Sequence, residues 1–435
     1  MFNRSSSKPL SSEELAGEME TVLQKHVLDA WFPVCVDNED GGFLQSFDRA
    51  WRRFDDAGRM LEFQARHTRS LAQLSESHAS DGRWQEYALH GLRYLREVMW
   101  DRERGGWYWL VSPNGEPRAG GSKHAHSGAY AVQAAVVTYR ATGDPGALEL
   151  AEEGLDWFNR HARDREHGGF FSWLTRDGAV IRKPSDVPDG AGPEEPLGHD
   201  IGLKDVNVLG DWFETLLDFL AVVPGSALAR ELLDEFAQIY MRRATTAAGE
   251  VHYGFHDDWT PQPGMEWYGY GFQATERFRT GARVLPDYPD MEARARQLML
   301  HTLRRSRSKA GGFRYGGNSG LPDHLEGHAT VVPARLWWVQ FEGMRILALY
   351  AADEGEDGPY HRALRKQWRF IRENLLDERF GGTYFRPLSD WKPWTRSWLP
   401  RQSWAFRKGG PWKDCSHETD CLLMSIAALR GARTS

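Results

Sequence analysis

Several functional classes lack support because the features that mark them are missing. Cysteine is scarce: Cys35, Cys415 and Cys421 make an odd, dispersed set. A disulfide framework is therefore not expected, and a reducing cytoplasm is. No Cys/His spacing of the zinc-binding kind occurs, so neither a metal nor a cofactor is expected. No apolar run approaches the roughly 20 residues of a membrane span. The amino-terminal MFNRSSSKPLSSEEL carries no apolar stretch behind its basic residue, so it is not read as a signal peptide. The net charge is -7 with the acidic residues scattered, and no basic stripe marks a nucleic-acid surface. What remains is an enzyme or binding protein for a small molecule, as a monomer or homodimer.

Tryptophan is abundant instead, with 19 among 435 residues. Aromatic faces stack on the C–H faces of sugar rings, and they also fill large cores. Both uses are open at this point.

A short signature recurs along the chain: polar residues, then Gly-Gly, then aromatics. It reads NEDGGFLQSF at Gly41, RERGGWYWL at Gly105, REHGGFFSWL at Gly168, KAGGFRYGG at Gly311 and ERFGGTYF at Gly381. A degenerate copy, GEVHYGFHDDW, begins at Gly249. Six units result, each with a tight turn and a short strand. Two helical patterns fall in each unit, near 12–30, 58–78, 83–100, 124–142, 146–163, 203–222, 226–243, 270–284, 290–305, 334–353, 359–376 and 415–430. One unit cannot bury its own apolar face, so neighbours must stack. Six helical hairpins close into an all-α (α/α)6 barrel, a single domain over 1–435; an open solenoid is the alternative.

Every second helix carries polar or aromatic residues near its start, at i, i+3, i+7 spacing, which puts them on one face. The second helix has Arg59, Glu62 and Arg66; the fourth has Lys123, His126 and Tyr130. The sixth has Lys204, Asn207, Asp211 and Glu214; the eighth has Tyr270, Gln273 and Arg277. The tenth has Arg335, Trp338 and Glu342; the twelfth has Asp414, His417 and Cys421. Any one stripe is a solvated face or an ion pair. Six in matching positions on inner helices converge on one cup, where ionisable groups are candidates for chemistry.

The chain resembles the N-acylglucosamine 2-epimerase superfamily over its whole length. FQARHTRSLAQL is similar to that family's second helix, with Arg66 in the sugar-binding position. KHAHSGAYAVQAAVVTYRATGD resembles the fourth through Lys123 and Tyr130, and LKDVNVLGDWFETLLDFL the sixth through Lys204, Asn207 and Glu214. RLWWVQFEGMRILALY is similar to the tenth through Trp337, Trp338, Gln340 and Glu342. KDCSHETD resembles the last, with Lys413 and the catalytic His417. The resemblance implies an (α/α)6 barrel and cofactor-free proton transfer at C2 of an open-chain sugar. It also exposes departures. WYGYGFQATER places Tyr270 and Gln273 where a second catalytic His and a Glu are expected, and Asp211 stands for a sixth-helix His.

Epimerisation at C2 needs an acid/base group on each face of the enediolate; aldose–ketose isomerisation needs one. His417 is the expected acid/base, oriented by Glu418 or Asp414. Arg66 polarises the carbonyl, and Tyr270 serves a second face only if its pKa near 10 falls by roughly 3 units. Lys123, His126, Tyr130, Asn207, Glu214, Gln273, Trp338, Glu342 and Glu418 are expected to bind substrate. Two alternatives stay open. One is an inverting glycoside hydrolase using pairs among Asp211, Glu214, Glu342 and Glu418, with carboxyls about 6.5–9.5 Å apart. The other is a sugar-binding protein without chemistry. The loop histidines His199, His252, His256, His324 and His328 can refill a missing base. A turn-rich segment 184–198 reads as a lid, and a Trp-rich segment 391–412 as a second cover.

Overall fold

The computed structural model describes residues 9–54, 58–187, 201–318, 331–390 and 406–431. Among them twelve main helices alternate in chain order: α1 (Ser12–Val22), α2 (Leu61–Ser77), α3 (Arg83–Tyr94), α4 (Ala125–Thr142), α5 (Pro145–His161) and α6 (Val206–Val222). They continue as α7 (Ala227–Ile239), α8 (Tyr268–Val284), α9 (Met291–Ser306), α10 (Trp337–Glu354), α11 (Pro359–Asn374) and α12 (Ser416–Leu429). Each even helix packs on the next, and α12 packs back on α2, so the ring closes. The odd helices lie outside it, α3 on α2, α5 on α4, α7 on α6, α9 on α8, α11 on α10 and α1 on α12. This is the (α/α)6 barrel, and no open solenoid end remains.

Composition decides which ring a helix joins. The first fourteen residues of α4, Ala125–Thr138, are all buried, because small Ala, Gly and Ser alternate with Val and Tyr on every side. In α11 only Leu364, Trp368, Ile371 and three neighbours are buried, and Arg362, Lys366, Arg369 and Arg372 face outward. Starts are capped locally: Asp144 accepts from Gly146 N ahead of Pro145 at the first position of α5, and Ser11 and Glu14 form a reciprocal box on α1. Most tryptophans are core. Trp31, Trp84, Trp107, Trp157, Trp173, Trp212 and Trp368 are fully enclosed, each contributing on the order of 2–3 kcal/mol.

The Gly-Gly signature is the joint between the rings. Gly105 and Gly106 sit at φ +68° and +70°, and a Cβ on Gly106 would meet the Trp157 indole at 2.8 Å. The chain then runs past the barrel mouth and pairs with the two residues that enter the preceding inner helix. Arg59–Met60 pairs with Leu110–Val111, Lys123–His124 with Trp173–Leu174, and Lys204–Asp205 with Gly254–Phe255, all antiparallel.

A repeated ion pair locks this joint. An Asp four residues before the first Gly meets a cation two residues before the inner helix: Asp37 with Arg59 (2.7 Å), Asp101 with Lys123 (3.3 Å), Asp164 with Lys204 (2.6 Å). The lysines also donate to the first glycine's carbonyl, Lys123 to Gly105 and Lys204 to Gly168. In a later unit Arg335 donates to the Gly311 carbonyl at 3.0 Å, and in the last Lys408 meets Asp377 at 2.8 Å.

The core also holds a pH-sensitive group. His67 on α2 is fully buried, stacks on Phe63 at 4.4 Å, and among the described residues has no side-chain hydrogen-bond partner on either nitrogen. Burial pushes its pKa down to about 4, against the charge of Asp414. A depressed histidine contributes stability that is full above about pH 6.5 and is lost as pH falls through 4. Urea unfolding is expected to show a loss of order 2–3 kcal/mol across that window, and His67→Phe is expected to flatten it. An unchanged slope in the variant overturns the assignment. Among the described residues no helix is long and apolar enough to cross a membrane.

Candidate active site

The inner helices start at one mouth of the barrel, and one register fixes what faces it. The second and sixth residues of each are Glu62 and Arg66 on α2, His126 and Tyr130 on α4, and Asn207 and Asp211 on α6. They are Gly269 and Gln273 on α8, Trp338 and Glu342 on α10, and His417 and Cys421 on α12. The stripe therefore runs at i, i+4 rather than i, i+3, i+7. Gly269 clears space for Trp338, whose ring lies where a Cβ would be. A cavity of about 250 Å3 results. Arg66, Tyr130, Asp211, Gln273 and His417 are among its lining residues, and so are three aromatics the sequence reading missed, Tyr253, Tyr315 and Phe385. Each of these three lies four residues after the first Gly of its signature copy, a regularity that would have found them.

The cup has two faces. One is aromatic: Tyr270 stacks on Tyr253 (5.1 Å, 18°), Trp338 tilts over Tyr270 at 5.5 Å, and Trp337 and Trp412 complete the wall. The other is charged. Arg66 Nη2 lies 2.7 Å from Glu62, donates to the Tyr130 hydroxyl at 3.2 Å, and sits over its ring. His126 is clamped, Nε2 at 2.6 Å from Asp211 and Nδ1 at 3.2 Å from Glu62. Burial opposes its charge, but the two carboxylates hold its pKa up at about 10, so it is a fixed imidazolium. Asn207 is buried at the cavity wall, its amide beside the Tyr253 and Tyr270 hydroxyls, in reach of a substrate hydroxyl.

His417 is held differently. Its Nδ1 lies 2.9 Å from Glu342 Oε1. Burial would raise Glu342, but Arg345 and then His417 bring it down to about 2, so it is a carboxylate and accepts. A proton on Nδ1 is thereby favoured, and Nε2 is the ring nitrogen left for a ligand of the cup that His417 lines. A Glu carboxylate thus orients the imidazole, but it is Glu342 from α10, not the sequence neighbours Glu418 and Asp414. Glu418 is buried away from the cup, accepting from Thr383 Oγ1 (2.6 Å) and Trp337 Nε1 (3.3 Å). Asp414 accepts from Ser416 N and stands 3.7 Å from Arg66.

Other expectations change as well. Lys123 does not reach the cup; it is buried in the Asp101 lock. Arg59 and Arg335 belong to locks too. Glu214 faces the opposite end of the barrel, and Arg277 Nε donates to it at 3.1 Å. Burial, then the neighbouring Tyr253 and Tyr315, push the Tyr270 phenol well above its ordinary value, opposite to the fall that a second base needs. At Asp211, burial is outweighed by Arg277 and His126, which hold the carboxyl below the usual range, opposite to the rise that a proton-donating acid needs. His252 and His256 do not line the cup. His199, His324, His328, 188–198 of the lid segment and 391–405 of the Trp-rich segment lie outside the described residues.

Comparison with known proteins agrees with this architecture. Residues 41–144 match the N-acylglucosamine 2-epimerase (GlcNAc 2-epimerase) family. A cellobiose 2-epimerase of Bacteroides fragilis is 25% identical over 389 residues, covering 87% of this chain and 92% of that protein. The structure of a cellobiose 2-epimerase from Spirochaeta thermophila superposes with a TM-score of 0.79 at 24% identity, covering 97% of this chain and 98% of the other. A D-mannose isomerase superposes with a TM-score of 0.74 at 19% identity, covering 95% and 97%. At these identities the two superpositions establish the fold.

Proposed function

We propose that this chain, which belongs to the N-acylglucosamine 2-epimerase superfamily, is a sugar isomerase that works with one base. The carrying observation is the difference between the two histidines of the cup. His417 lines the cavity with Nδ1 held by Glu342, while both nitrogens of His126 are held by carboxylates. The substrate is an open-chain aldose, of monosaccharide size for a cavity of about 250 Å3, which is below the ~300–1,000 Å3 of larger ligand sites.

The chemistry balances without a cofactor. His417 Nε2 takes the proton from C2, the electron pair forms the C1–C2 enediolate bond, and the carbonyl π pair moves to O1. Arg66 and the His126 imidazolium stabilise that oxygen as it gains charge. The O2 hydroxyl proton passes to O1, the carbonyl forms at C2 as the C1–C2 π pair takes up a proton at C1, and His417 returns its proton there on the same face. The C–H groups of the sugar chain lie against Trp338 and Tyr270, and its hydroxyls meet Asn207, Gln273 and Tyr130. Hydrolysis fits less well, since it needs one carboxyl to carry a proton. Asp211 and Glu342 are each held below the usual carboxylate range by cations, and Glu62 is held down by Arg66 and His126 against burial. The closed ring suits one domain over 1–435. The buried thiols Cys35, Cys415 and Cys421 suit a reducing cytoplasm.

Incubation with free aldoses in D2O tests the reading. The expected product is a ketose with deuterium at C1, together with recovered aldose deuterated at C2. A C2 epimer as main product replaces the one-base mechanism with two bases. Release of sugar from a glycoside without exchange means hydrolysis, and no conversion across a broad aldose panel leaves a binding protein. Tyr270→Phe separates one base from two. It is expected to change turnover by less than about tenfold, whereas loss of a second acid/base costs about 10²–10⁴-fold.

A further inference from the structure

The barrel has a second mouth. One turn below the cup the same register sets a second ring, the ninth residues of the inner helices: Arg69, Gln133, Glu214, Glu276, Arg345 and Met424. Most of this ring is satisfied internally. Arg69 donates to Gln133 Oε1 at 2.9 Å, Gln133 to Glu214 Oε1 at 3.2 Å, and Arg277 Nε to Glu214 Oε2 at 3.1 Å. Glu276 is the exception. It is 7% exposed, its one hydrogen bond comes from the Thr280 hydroxyl at 2.8 Å, and among the described residues no cationic nitrogen lies within 4 Å. A carboxylate buried to that degree without a cation is costly.

Glu276 lines a cavity of about 420 Å3, larger than the sugar cup. The cavity is lined by five carboxylates (with Glu76, Glu214, Asp218 and Asp420) and three guanidiniums, Arg140, Arg277 and Arg345, and a fourth guanidinium, Arg69, pairs with Asp420 and stands 3.6 Å from Glu214. Two of those guanidiniums are shared with the cup, since Arg277 also pairs with Asp211 and Arg345 with Glu342. The acidic excess is therefore real. Its opposite wall is apolar, made by Leu217, Leu423, Met424 and Ala427. Burial and the Glu214 charge push the Asp218 and Glu276 carboxyls up, and the charges of Arg140 at Asp218 and of Arg345 at Glu276 oppose this without reversing it.

We propose that this far cavity is a second ligand site, for a short alkyl diamine. One ammonium supplies the cation that Glu276 lacks, and the methylenes lie on Leu423, Met424 and Ala427. The second ammonium answers the remaining acidic excess. The site is coupled to the first. Arg345 bridges the cavity to Glu342 and through it to His417, and Arg277 bridges to Asp211 and His126. An occupant that draws either guanidinium loosens the support of a cup residue. This coupling rests on the proposed sugar chemistry; the binding does not.

Calorimetric titration of the full-length protein with 1,4-diaminobutane, without sugar, tests the binding alone. Saturable one-site binding is expected, with no heat from 1,4-butanediol. Glu276→Gln is expected to weaken it at least about tenfold, the scale of one charge-assisted hydrogen bond. Ala427→Phe, which fills the apolar wall and leaves every carboxylate in place, is expected to abolish it. Melting curves matching the parent show that both variants are folded; if Glu276→Gln does not fold, Ala427→Phe decides. Absence of saturation at 10 mM (about ten times a millimolar Kd), equal binding of the diol, or full affinity in a folded variant overturns the site. A diamine that binds as expected in a protein inactive on every aldose upholds this site and rejects the sugar reading.

Discussion

His417→Ala is expected to lower aldose–ketose turnover by about 10²–10⁴-fold, the usual share of a general acid/base, with KM nearly unchanged. The side chain is half-buried on the rim of α12 and its one polar partner is Glu342, so truncation leaves the fold intact and the melting point close to the parent's. Glu342→Gln is the sharper test, because it leaves His417 in place. A carboxylate accepts the Nδ1 proton and leaves Nε2 as the base. An amide rotated to donate to Nδ1 favours the tautomer with its proton on Nε2, which cannot abstract from C2. The loss is expected in kcat and in the acid limb of the pH profile, at a comparable magnitude. Added imidazole is expected to restore part of the activity of His417→Ala and none of that of Glu342→Gln. Normal turnover in His417→Ala on a confirmed substrate moves the chemistry out of this cup.

The barrel was legible because its information is periodic. Six signatures at near-constant spacing name the units, and two apolar patterns per unit name the rings; the observed helices start within about three residues of the expected positions. The cup was legible in part, for the same reason. Glu62, Arg66, His126, Tyr130, Asn207, Asp211, Gln273, Trp338 and His417 follow the helical register, and all line the cavity. Errors arose where sequence neighbourhood stood in for register. Lys123 lies three residues before His126, but it sits on the strand before α4 and turns to the loop behind it. Glu418 adjoins His417, yet a helix turns 100° per residue, which points it at Thr383. The true support, Glu342, is 75 residues away, a pairing only ring closure creates. The Asp–cation lock recurs at fixed positions too, but its cations Arg59, Lys123 and Lys204 fall on the stripe and read as site residues, while Asp37, Asp101 and Asp164 sit in the loop before the glycines.

That lock carries the largest expected effect on stability. Lys204 is fully buried and its ammonium holds three acceptors: Asp164 Oδ2 at 2.6 Å, the Asp257 carbonyl at 2.7 Å and the Gly168 carbonyl at 2.9 Å. Among the described residues Asp164 has no second cation; its other partners are the backbone N–H groups of Glu166 and His167. Lys204→Met fills the same space with an apolar chain and leaves a buried carboxylate and two carbonyls unanswered, at a cost of about 3–5 kcal/mol in urea unfolding. Asp164→Asn added to Lys204→Met removes the orphaned charge, while the amide oxygen still accepts from the loop. The double variant is therefore expected to recover at least about half of the loss. The same change at Lys123 is expected to cost less, since Arg176 also holds Asp101, at 2.9 and 3.2 Å. Neither lysine lines the cup, so the folded fraction of Lys123→Met should bind sugar with unchanged KM. A raised KM at full stability would return Lys123 to the substrate site, and equal losses at the two lysines would mean that the lock is not where their energy lies.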